Sequence, residues 1–150
     1  MQLLPYLNLA IRVFIGGYFL FAAVPKIVEP LAFATSISHY EMMPSFIVNA
    51  FALVVPWLEL FVGVGLVVGY RVRTSAFICG ILLVMFSSAV AWAVIHGLDI
   101  DCGCFGAQGG EEVSWIKVGK NMLMAAGCAL LVWKPDSWLS LDHLRARPTE

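Results

Sequence analysis

The chain has 150 residues, 61% of them hydrophobic and 13% charged, with a formal net charge of -1. A water-soluble domain carries about a quarter charged residues, so this composition excludes a soluble globular fold and points to one domain embedded in a lipid bilayer. No basic cluster is present, which excludes nucleic acid as a partner.

A transmembrane helix needs roughly 20 mostly apolar residues. Four segments meet that length: Leu4 to Val28, Phe46 to Tyr70, Thr74 to His96 and Trp115 to Trp133. They are separated by Glu29-Pro30, by Arg71-Val-Arg73, and by a glycine-rich segment holding two cysteines; Lys134-Pro135-Asp136 closes the last. Spanning strands would alternate over about ten residues, and these runs are apolar throughout. The expected fold class is therefore an all-α integral membrane protein, a four-transmembrane-helix bundle over residues 1–134 with a cytoplasmic C-terminal tail over 135–150. The first segment is expected to stay in place rather than act as a cleaved signal peptide. No Lys or Arg precedes its apolar core, and Arg12 sits inside it.

Positive residues accumulate on the cytoplasmic side. Arg71 and Arg73 lie in the second connection, and Lys134, Arg145 and Arg147 follow the last helix. With four spans these regions share one face. The expected localisation is a bacterial inner membrane, multi-pass, with both termini cytoplasmic and the cysteine segment periplasmic. The first connection shares that outer face. Its Leu31, Phe33, Ala34, Ile37 and Tyr40 fall at near-helical spacing among polar residues. That pattern predicts a short amphipathic helix, on the membrane surface or packed over the mouth of the bundle.

An ionisable group within hydrocarbon requires a partner. Counted from the helix ends, Arg12 and Glu59 lie within about one turn of the same depth, and they are expected to pair as a structural element. Lys26 stands at the outer end of the first helix. It reads either as an anchor reaching the interface or, with His39, as a positive charge that stabilises a thiolate. Asp101, beside the cysteines, acts in the opposite direction.

Cys102 and Cys104 are one glycine apart. A disulfide needs Cα atoms within about 4.4–6.8 Å, near the limit for three extended residues. The chain must therefore bend at Gly103, where no Cβ opposes it. A strained, exposed disulfide is labile, so the pair suits redox exchange better than a structural staple. Metal binding by the two thiolates with His96, His39 and the aspartates is the rival; the expected metal set is none. Cys79 and Cys128 lie at similar depth in the third and fourth segments. They read as small packing residues or as a second thiol pair.

Arg12, Gly16-Gly17 and Lys26, the Tyr40 to Pro44 turn, Pro56-Trp-Leu-Glu59, Gly63, Gly69, Phe86, Asp101-Cys-Gly-Cys-Phe-Gly106, Trp115 and Asn121 together resemble the MauE/DoxX group of redox-associated membrane proteins, MauE more closely. The resemblance covers nearly all of Leu9 to Val132. It implies a four-helix membrane bundle that forms or transfers disulfides in periplasmic proteins during methylamine utilisation, alongside a thioredoxin-like partner. The expected function is thus inner-membrane thiol–disulfide exchange at Cys102 and Cys104, an oxidoreductase activity. The partner is a periplasmic thioredoxin-like protein or a disulfide-containing substrate protein. No resident cofactor is required. A quinone near Trp57, Phe86 or Trp92 is one exit for the electrons. The alternative is a non-enzymatic scaffold or copper-binding protein that docks a thioredoxin-like partner.

Overall fold

A computed structural model describes residues 3–98, 100 and 113–134. The described residues form five helices: α1 (Leu3–Val28), α2 (Pro30–Ser38), α3 (Ser45–Val68), α4 (Val72–Ile95) and α5 (Trp115–Trp133). Four of them, α1, α3, α4 and α5, are long and apolar enough to cross a membrane. Their bounds fall within two residues of those expected from hydropathy. The chain is a multi-pass membrane protein. The expected tail over 135–150 lies outside the described residues.

The bundle is built from two tight helix pairs: α1 packs along α3 and α4 along α5, with a lighter contact between α3 and α4. Small residues set the first pair. A Cβ placed on Gly63 would stand 3.0 Å from the Gly16 carbonyl oxygen and 3.0 Å from Leu20 Cγ. Only glycine allows the two backbones to approach so closely. Ile15, Phe19, Val62, Leu66, Val72, Ala76, Leu82, Leu83 and Leu131 fill the centre between the pairs. Large apolar side chains such as Phe14, Phe61, Phe77 and Leu123 point outward. That inversion of the soluble pattern is what lipid solvent requires.

The ends have specific stops. Gly69 adopts φ 77° and its N–H donates to the Gly65 carbonyl at 2.9 Å, as does the N–H of Tyr70. The left-handed glycine ends α3 and turns the chain into α4. At the C-terminus of α5 the last carbonyls need donors. Arg73 Nε donates to Val132 O at 3.0 Å and Asn8 Nδ2 to Lys134 O at 2.9 Å. These two bonds tie α1, α4 and α5 together at the end of the bundle away from α2.

α2 settles the choice left open by its sequence. Phe33 is 2% exposed and Leu31 81% exposed, and the helix packs on α3. It therefore covers the bundle, with Phe33 as its inward anchor, and turns Leu31 outward. Tyr40, just past its end, is also buried. Burial holds the Tyr40 phenol protonated and pushes its pKa from near 10 up to about 12.

Candidate functional site

The centre of the bundle holds an ion pair. Lys26 Nζ donates to both oxygens of the Glu59 carboxylate, at 2.8 and 2.9 Å. Lys26 is 1% exposed and Glu59 2%. The ring centroids of Phe33 from α2 and Phe86 from α4 each lie 5.0 Å from Nζ. An ammonium between two aromatic faces gains cation–π attraction, which is stronger when desolvated. A small cavity of about 20 Å³ adjoins the pair, lined by Tyr18, Phe19, Ala22, Leu83, Phe86 and Asn121 together with the pair itself. The site thus draws side chains from α1, α3, α4 and α5, and α2 closes it with Phe33.

This arrangement corrects the expected Arg12–Glu59 pair: Lys26, not Arg12, holds the carboxylate. The reason lies in the helix register. Gly16 faces Gly63. Arg12 lies one turn from that crossing towards the chain's start, and Glu59 one turn from it in the opposite direction, so their levels differ by about 12 Å. Counting from helix ends assumed that α1 and α3 begin and end flush. Side chains on a helix also lean towards its N-terminus. Lys26 reaches back down α1 to Glu59, whereas Arg12 leans away from it. The same lean corrects the reading of Lys26 as an interfacial anchor, because its charge is buried and matched.

The remaining candidates are distributed as follows. His39 caps the end of α2 and is exposed. Asp101, Cys102 and Cys104 lie outside the described residues. The ends of their segment meet, however: Val113 N–H donates to the Ile100 carbonyl at 3.2 Å. His96 of the rival metal set donates its Nδ1–H to the Trp92 carbonyl at 2.9 Å and packs its ring 3.8 Å from that of Trp92. Among the described residues no group of His, Cys, Asp and Glu is arranged to hold a metal ion. The three aromatics named for a quinone serve different contacts. Trp57 packs near Phe61, Trp92 against His96, and Phe86 against Lys26. Cys79 and Cys128 are both buried and both free thiols.

Sequence reasoning passed over the aromatic cage around Lys26. Its signal was present, because Phe33 is one of the helical-spacing residues that follow closely on the end of α1. A second cavity, about 70 Å³, lies under α2 between Phe33, Tyr40, Met42, Met43, Met85 and Phe86 among others. It shares Phe33 and Phe86 with the ion-pair site.

Residues 4–134 match the sequence profile of the family described as methylamine utilisation protein MauE. Methylamine utilization protein MauE of Methylorubrum extorquens is 35% identical over 130 residues, covering 86% of this chain and 70% of the relative. The protein of that name from Paracoccus denitrificans is 33% identical over 123 residues, covering 81% of this chain and 66% of the relative. That of Paracoccus versutus is 32% identical over 132 residues, covering 85% and 71%. No solved structure matches the chain. The profile spans all four membrane helices and the connection that holds Cys102 and Cys104, and on that ground the chain belongs to the MauE family.

Proposed function

We propose that this protein is an inner-membrane thiol–disulfide exchange protein serving methylamine utilisation, with Cys102 and Cys104 as its reacting groups. The observation that carries the reading is the placement of Cys-Gly-Cys in a short connection between two spanning helices. Ile100 and Val113 hold the ends of that connection together. A disulfide across one glycine is strained and easily opened. It suits a protein that passes a disulfide on. Membership of a family named for methylamine utilisation supports a role in maturing the proteins of that process. The orientation from Arg71, Arg73 and Lys134 supports a periplasmic location for the pair.

In this reading the Cys102–Cys104 disulfide is attacked by a thiolate of a periplasmic dithiol protein, thioredoxin-like or substrate. A mixed disulfide forms. The partner's second thiolate then displaces it, and Cys102 and Cys104 leave as thiols with the two electrons. In this reading the Lys26–Glu59 pair has a structural part. It holds α1 to α3 beneath α2, on the same end of the bundle as the cysteine segment, and so fixes the platform that the partner meets.

The test is a redox titration. The full-length protein in detergent is equilibrated in thiol–disulfide buffers of graded potential and trapped with a maleimide. Cys102 and Cys104 should titrate together as one two-electron couple within the range of periplasmic couples. A Cys104→Ser variant should accumulate a cross-link through Cys102 to a periplasmic protein, released by reductant. Thiols that stay reduced at every potential would overturn the reading.

A further inference from the structure

Asn121 of α5 is 6% exposed, and it lines the cavity of about 20 Å³ beside Lys26 and Glu59. Among the described residues its amide has no hydrogen-bond partner. Ser87 of α4 is 3% exposed, and its Oγ also lacks a partner among the described residues. The two stand close together. A Cβ on Gly80 would lie 3.5 Å from Cys128 Cβ, which fixes the register of α4 against α5. Ser87 and Asn121 are each seven residues from that contact towards the cysteine segment, close to two full turns. The antiparallel pair therefore brings them to one level. Buried amides and hydroxyls are as a rule hydrogen-bonded, to protein or to ordered water.

The lining selects the ligand. Lys26 has three N–H donors, and two bonds go to Glu59. The carboxylate keeps further lone pairs, and the Asn121 amide offers two donors and an acceptor. A buried water needs two to four polar partners and roughly 10–15 Å³ of room; this cavity provides both. It is far below the size of organic-ligand sites, about 300–1,000 Å³. Among the described residues no group of His, Cys, Asp and Glu gathers to hold a metal ion.

We propose that this cavity binds one water molecule, which bridges the Asn121 amide to the Lys26–Glu59 pair. The water donates to the carboxylate and to Asn121 Oδ1 and accepts from the ammonium. α1 and α3 carry the ion pair and α5 carries Asn121, while α1 packs only lightly on α5. The bound water is thus a polar link between the two helix pairs. Within a bilayer such a link has no competitor, because the acyl region supplies no hydrogen-bonding partner. The site rests on the geometry of the ion pair and stands independently of disulfide exchange at Cys102 and Cys104.

The experiment is an experimental structure of the full chain in lipid nanodiscs, at a resolution that shows ordered solvent. One solvent peak is expected within hydrogen-bond reach of Asn121 and of Lys26 or Glu59. Thermal melts in detergent give a second reading. Asn121→Leu removes the amide and extends an apolar side chain into the cavity. In a dry cavity that change removes an unsatisfied group and raises the melting temperature. Where water bridges the amide, the change should lower it by about 2–8 °C, the shift for the loss of roughly one hydrogen bond. In the chain carrying Lys26→Met and Glu59→Leu the same change should lower nothing, because the water has lost its charged partners, whereas a steric clash would persist there. The solvent peak decides the matter if the variants fail to fold. A cavity without solvent density, a melting temperature that Asn121→Leu raises or leaves unchanged, or a loss that persists without the ion pair would each overturn the proposal.

Discussion

Lys26 and Glu59 are buried charges, and each depends on the other. Removing one partner of a buried pair leaves an uncompensated charge and costs about 3–5 kcal/mol, whereas replacing both with apolar groups is often neutral. Lys26→Met and Glu59→Leu should each lower the melting temperature in detergent sharply, and the double variant should recover most of the loss. Strictly additive losses would show that the two do not act as a unit. Tyr40 gives a pH signature. Its folded pKa is raised from near 10 to about 12 by burial, so the folded state holds the phenolic proton more tightly than the unfolded chain does. That stabilisation is fully present below about pH 10 and is lost as pH rises towards 12. Thermal melts across this window should show a steeper alkaline fall in the unaltered chain than in Tyr40→Phe.

At the scale of elements, two contacts set how the helices meet. The Gly16–Gly63 crossing fixes the register of α1 against α3, and that register is what delivers Lys26 to Glu59. Gly63→Leu would drive a side chain into the Gly16 carbonyl and Leu20. Such overpacking should cost about 1–3 kcal/mol and separate Lys26 from Glu59, visible as a lower melting temperature that Lys26→Met no longer worsens. The second contact is α2 on α3. Phe33→Ala removes the buried anchor and one ring of the cage, and truncating a buried Phe costs about 3–5 kcal/mol. Limited proteolysis should then cut within residues 29–45 far faster than in the unaltered chain, with α3 to α5 intact.

The whole molecule is a set of two helix pairs whose four spans bring the first connection and the cysteine segment to one end. The proposed topology assigns that end to the periplasm. In intact cells a membrane-impermeant maleimide should label single-cysteine chains carrying Cys102 or Cys104 and should leave Cys79 and Cys128 unlabelled until the membrane is dissolved. Labelling of Cys102 only after permeabilisation would reverse the orientation.

The amino-acid sequence by itself determined the class and span of the fold. Uninterrupted apolar runs have one stable form in lipid, because a helix satisfies its own backbone. The bounds of all four spans and the small helix between the first two were legible for that reason. The partner of Glu59 was not. Which of Arg12 and Lys26 reaches a carboxylate on another helix depends on how far α1 slides along α3. That offset is set by the glycine crossing and by the lean of side chains towards the helix N-terminus, and neither leaves a mark in hydropathy. The same is true of the Phe33–Lys26–Phe86 stack, which exists only where three helices converge. Periodicity along one helix reports which face is apolar, while the meeting of charges between helices is decided by packing.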